Sequence, residues 1–120
     1  MINIVSSSRY KINRKLVKKT VEESLTSYGL PSNAVVNIVF VGKNKMKTIA
    51  LKYKKEDVAL PVLSFSYINR IKTGESDNFL GEIFICYPQA VLLAAEREKK
   101  VDAIILQLIK HGISNILSSE

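Results

Sequence analysis

The stretch KHGISNILSSE holds residues 110–120 of this 120-residue chain. His111 and Asn115 stand four residues apart in it. On a helix, positions i and i+4 share a face, so such a pair can aim two side chains at one metal. An imidazole is a good zinc ligand. A neutral amide carbonyl such as that of Asn115 is a poor partner for it. Glu120 adds a carboxylate, but a chain end gives little support for a preorganised ligand. A hydrolytic zinc needs three protein donors and an open position for water. A histidine can also act alone as general acid or base. Ser64 or Ser114 could then serve as nucleophile, although nothing in the sequence identifies an orienting carboxylate. The plain alternative for His111 is a partly buried helix histidine bonded to a neighbour.

The second chemical feature is charge. The chain carries a formal +7, unevenly spread. Residues 1–55 hold twelve Lys/Arg against two acids, a balance of +10, while residues 56–120 hold six against nine, a balance of −3. A basic half points to a polyanion, most often nucleic acid; solubility alone is the alternative. Lys45, Lys47, Lys52, Lys54 and Lys55 lie close together in sequence and are read as one RNA-binding surface. Asp57 is read as a turn cap. Cys86, in an apolar run, is read as a packed and inert thiol.

These residues need elements to hold them. Residues 2–6 read as a strand. From Asn13 to Tyr28 the apolar positions 16, 17, 21, 25 and 28 follow helical spacing, with Asn13 as N-cap and Gly29 and Pro31 as the stop. Residues 34–42 form a strand rich in β-branched side chains, which Asn37 interrupts. Met46, Ile49, Ala50 and Tyr53 line a short lysine-bearing helix. Residues 61–67 and 78–87 read as strands around a polar loop at 69–78, expected to be mobile. Pro88 suits the first turn of a helix over about 89–99. A last helix runs from about 102 to 117, with Asp102 near its start. Its core face is expected to include Ile104, Ile105, Leu108, Ile109 and Ile116. The order β-α-β-α-β-β-α-α predicts an α+β fold: one domain over 1–120, with a mixed four-stranded sheet packed by helices.

With 47% hydrophobic residues, one core is affordable for a chain of this length. A single cysteine excludes an internal disulfide and fits a reducing compartment. No apolar run is long enough to span a bilayer, and the start lacks a signal-peptide pattern. The expectation is a soluble cytoplasmic protein that contacts no membrane.

Three segments carry a resemblance to a family. LKYKKEDVALPVLSF (51–65) is similar to Leu-Asn-x-x-Tyr-Arg-Gly-Lys-Asp-Lys-Pro-Thr-Asp/Asn-Val-Leu-Ser-Phe, matching at Tyr53, Asp57, Val62, Leu63, Ser64 and Phe65. LGEIFIC (80–86) is similar to Leu-Gly-Asp-Ile-x-Ile-Ser, and HGISN falls on His-Gly-x-x-His. In order and spacing they resemble YbeY, the bacterial rRNA maturation endoribonuclease family, over nearly the whole chain.

The resemblance implies an α+β fold with the metal site on the last helix, zinc as the family's metal, and rRNA or the small ribosomal subunit as partner. It places Lys54 on a functional arginine, as a phosphate contact without the arginine's bidentate fork. Of the metal motif His-Gly-x-x-His-x-x-Gly-x-Asp-His, His111 and Gly112 are present. Asn115 replaces the second histidine, Ser118 the glycine and Glu120 the Asp, and the third histidine would be residue 121. The expectation is therefore an RNA-binding maturation protein with impaired metal-dependent cleavage and absent or weak zinc. The alternatives are an active zinc endoribonuclease, with His111, Asn115 and Glu120 considered as ligands, or a non-catalytic protein-interaction module.

Overall fold

The computed structural model describes residues 1–68 and 78–118. Eight elements follow one another: β1 (Ile2–Val5), α1 (Arg14–Ser27), β2 (Val35–Val41), α2 (Lys43–Lys54), β3 (Val62–Ser66), β4 (Phe79–Cys86), α3 (Tyr87–Glu96) and α4 (Val101–Ser118). The architecture is the α+β arrangement expected. The strands form one mixed sheet in the order β1-β2-β4-β3. β1, β2 and β4 run parallel, and β3 closes one edge antiparallel to β4. The stretch expected to form a mobile polar loop falls, from 69 to 77, outside the described residues.

Strand alternation divides the buried residues between the two sheet faces. Val36, Ile38 and Phe40 of β2 and Ile83 and Ile85 of β4 join the larger core with Val17, Val21 and Leu25 of α1 and the isoleucines of α4. The opposite face is covered over part of its area. Met46 and Ile49 of α2 pack there with Val41, Leu63 and Cys86. Val39, Phe65 and Phe84 continue that face and are only partly buried.

Local chemistry sets the helix ends. The Asn13 side-chain oxygen accepts the Leu16 N–H at 3.1 Å, capping α1. Gly29 takes φ +77°, the left-handed conformation that ends the helix. Tyr28, expected on the apolar face, is 55% exposed because the chain leaves the helix there; the buried position the apolar pattern missed is Thr20. α2 ends on Lys55 in the left-handed region, whose N–H donates to Ala50 C=O. Pro88 sits in the first turn of α3, where its missing N–H costs nothing.

α4 buries Ile104, Ile105, Ile109, Gly112, Ile113 and Ile116. Leu108, expected in that set, lies one step off the stripe and is only partly buried, whereas Ile113 is 1% exposed. The stripe is centred over β4 and β3. The Ser66 hydroxyl donates to Ile116 C=O at 2.9 Å, tying the edge strand to the last turn of the helix.

Candidate nucleic-acid interface and the His111 helix

His111 and Asn115 share one flank of α4, and both are exposed. Asp102, Ile105 and Leu106 of the same helix face α1. At about 3.6 residues per turn, His111 and Asn115 lie on the flank away from α1. The reading of His111 as a partly buried, hydrogen-bonded histidine is thus corrected: the side chain projects to solvent. Among the described residues no hydrogen bond engages its ring. Ser114 is exposed on the same helix, and Ser64 is half-buried in β3.

The donors fit a hydrolytic zinc poorly. Among the described residues no three His, Cys, Asp or Glu side chains converge in a way that could hold a metal ion. His111 brings one imidazole, and the donor one turn on is an amide. Glu120, the third donor considered from the sequence, lies outside the described residues.

The lysines of α2 are all exposed, but they do not form one surface. Met46, Ile49 and Ala50 occupy the buried stripe. At about 3.6 residues per turn, Lys45 and Lys52 fall on one side of it, and Lys43, Lys47 and Lys54 on the other. Lys55 lies past the helix end as its C-cap. The expected single patch of Lys45, Lys47, Lys52, Lys54 and Lys55 is therefore split by the helix itself. Sequence proximity suggested one patch; helical rotation makes two.

The two flanks differ in their surroundings. On one, Lys47 Nζ is 3.8 Å from Asp57 Oδ1 in an exposed ion pair. That pairing, rather than a turn cap, is the contact Asp57 makes. Lys52 and Lys54 also stand in the last turn of α2, where cations complement the helix dipole. Lys54 and His111 belong to helices on opposite faces of the sheet. A phosphate shared between them would have to lie across the β3 edge.

On the other flank, a groove of about 220 Å³ runs along the part of the sheet that, among the described residues, α2 leaves open. Lys45, Ile49, Tyr53, Phe65, Glu82 and Phe84 line it. Tyr53 and Phe65 meet edge to face at 5.0 Å between centroids, and Phe65 and Phe84 do so at 5.8 Å. Tyr53 is 56% exposed, and Lys52 Nζ lies 5.2 Å from its ring centroid. Tyr67 also lines the groove, and its hydroxyl donates a long 3.5 Å bond to Glu82 Oε1. Sequence reasoning placed Tyr53 on the buried face of α2 and gave Phe65 and Glu82 no role. The available signal was period-two alternation. Phe65 on β3 pairs with Glu82 on β4, and Phe84 lies two residues on, so all three share a face.

Cys86 is fully buried beside Met46 and Leu63. Burial raises its pKa, against smaller opposing effects from the Gln89 backbone N–H and the Lys43 charge. No helix among the described residues is long and apolar enough to cross a membrane.

Known proteins are similar to this chain in sequence and in fold. The family model described as Endoribonuclease YbeY matches residues 3–117. An Endoribonuclease YbeY of Dehalococcoides mccartyi is 30% identical over 129 residues, spanning 97% of this chain and 75% of that relative. One from Desulforamulus reducens is 33% identical over 107 residues, spanning 86% of this chain and 69% of the relative. The solution structure of TM1509 from Thermotoga maritima superposes with a TM-score of 0.64 at 21% identity, covering all of this chain and 74% of that one, a likeness of fold. The extent of the family match and the identity to these relatives carry the conclusion: the chain belongs to the Endoribonuclease YbeY family.

Proposed function

We propose that this chain is a cytoplasmic RNA-binding protein of rRNA maturation. It acts on rRNA or the small ribosomal subunit, with impaired metal-dependent endonuclease activity. Membership of an endoribonuclease family supports RNA as the class of substrate. The basic first half, at +10 over residues 1–55, suits a phosphate backbone. The observation that carries the impairment is the exposed pair on α4, one imidazole followed a turn later by an amide. Such a pair lacks the three-donor cage that activates water. The family's other reading, a working zinc endoribonuclease, needs donors beyond this pair.

Lys54 serves in this reading as a point-charge phosphate contact at the end of α2, and His111 as what is left of a ligand set. Zinc, if bound, would lower the pKa of a coordinated water and so supply a nucleophile.

Three measurements on the purified protein test the proposal. RNA affinity should fall steeply with salt, since each neutralised phosphate releases counterions. Lys54→Ala should weaken binding to all sequences and reduce the salt slope by about one. Elemental analysis should find well under one zinc per chain, and added zinc should not bring rapid cleavage of rRNA fragments. Stoichiometric zinc lost in His111→Ala, together with cleavage, would establish the active endoribonuclease instead. Absence of salt-sensitive RNA binding would favour the protein-interaction module.

A further inference from the structure

The aromatic groove beside α2 is not absorbed by the function proposed above. Its chemistry is specific enough to name an occupant. At about 220 Å³ it is smaller than the clefts of about 300–1,000 Å³ that enclose drug-sized ligands. Its walls are aromatic, its rim holds Lys45, and one carboxylate, Glu82, stands among the rings. A sheet face carrying aromatic rings beside lysines is a surface on which single-stranded RNA stacks its bases. The rings are already held by edge-to-face contacts, so little ordering is needed when a base arrives.

We propose that this groove takes one unpaired base of single-stranded RNA. The base stacks on Tyr53 against Phe65, the adjoining phosphate lies at Lys45, and an exocyclic amine faces Glu82. The inference rests on the RNA-binding reading and adds to it a subsite and a base preference.

The preference follows from the carboxylate. Glu82 is half-buried in β4, and Tyr67 donates to one of its oxygens. An ionised carboxylate only accepts hydrogen bonds. Cytosine offers an N4 amine at the position where uracil offers an O4 acceptor. With the base seated so that its C4 substituent faces Glu82, cytosine donates its N4 amine to the carboxylate, whereas uracil sets its O4 acceptor against it. The two bases are nearly the same size, so stacking and groove fit do not separate them. Lys52, long and exposed, can leave the Tyr53 ring for a phosphate as the base enters.

A protein segment could also cover an aromatic face. The charge argues for RNA, since Lys45 and Lys52 flank the rings on this side of α2 and suit a phosphate backbone.

Fluorescence anisotropy with labelled C8 and U8 oligonucleotides at fixed salt provides the test. Wild-type protein should bind C8 at least about fivefold more tightly than U8, the ratio set by one discriminating contact. Tyr53→Leu should weaken both by about fivefold or more, and Tyr53→Phe should restore binding, because stacking needs the ring and not the hydroxyl. Glu82→Gln should bring the C8-to-U8 ratio near one, because an amide both donates and accepts. Tyr28→Leu is the control: that ring is equally exposed at 55% but stands at the end of α1. Salt-sensitive binding with no C8 preference, or with Tyr53→Leu no weaker than Tyr28→Leu, overturns the subsite and leaves the RNA-binding reading standing. No RNA binding at all overturns both, and a protein partner lost in Tyr53→Leu would then identify the face as a protein dock.

Discussion

Gly112 of α4 lies against Ile83 of β4 so closely that a Cβ on the glycine would stand 2.9 Å from both Cδ1 and Cγ2 of the isoleucine. Ile83 is fully buried at the centre of the sheet, and its Cγ2 is a branch on Cβ with no freedom to swing away. The glycine therefore lets the helix axis approach the sheet.

Gly112→Ala separates two opposing effects. Helix propensity alone favours Ala by about 1 kcal/mol. Overpacking a tight core costs about 1–3 kcal/mol. The contact to a buried β-branched residue favours the second effect, so the variant should be less stable in urea denaturation. Adding Ile83→Val removes Cδ1 and should recover part of the loss. A variant more stable than wild type would show that α4 can shift off the sheet at little cost.

Gly81 is the more demanding position. A Cβ there would collide with the Phe65 backbone carbonyl and come within 2.9 Å of Ile116 Cδ1. The register between β2 and β4 also shifts beside it, between Val35 and Val36. A carbonyl in a paired strand cannot rotate aside as a side chain does. Gly81→Ala should lower the denaturation midpoint more than Gly112→Ala and should loosen the pairing of Ser66 with Gly81. Amide exchange along β3 would report that loosening residue by residue.

The order of elements was legible because each has a local cause: β-branched runs, an Asn N-cap, a Gly stop and a Pro in a first turn. The site was less legible because it depends on rotation and on distance between elements. Lys45 and Lys47 are two residues apart in sequence yet flank opposite sides of α2. Tyr53 satisfies the helical apolar pattern, but it lies at the last turn of α2, beyond the part that Met46 and Ile49 bury, where Phe65 meets its ring edge to face and Lys52 lies over it. Phe65 and Glu82 are brought together by a pairing across a segment whose length carries no register information. Leu108 and Ile113 show the same limit: both fit an apolar helix, and only the position of the sheet decides that Ile113 is the buried one.

Three substitutions on α4 read out its two faces. Ile109 is fully buried, so Ile109→Ala should cost about 2–5 kcal/mol through lost burial and a cavity. Leu108, partly buried, should cost less on truncation to Ala. His111→Ala, on the exposed flank, should stay within about 0.5 kcal/mol of wild type. The measurement is urea denaturation of the three variants with chelator present. A loss at His111 as large as that at Ile109 would make the imidazole a structural residue and remove the reading of this flank as a degenerate ligand set.

Cys86 offers a pH-dependent probe of the second core. Its thiol is sealed by Met46 and Leu63, and burial pushes its pKa above the ordinary thiol range despite the Gln89 N–H and Lys43. In the unfolded chain the same group ionises near its ordinary value, about 8.5. Below that value both states hold the proton, and the thiol adds no pH dependence. Above it the unfolded state releases its proton first, so stability must fall as pH rises toward the folded-state pKa. The thiolate is also the reactive form, so the native protein should resist alkylation at pH 8 and react at the rate of local or global opening. Urea should speed labelling in step with unfolding. Rapid labelling in native buffer would mean that α2 lifts from the sheet readily, and the groove beside Tyr53 would then lack the fixed wall that a stacked base needs.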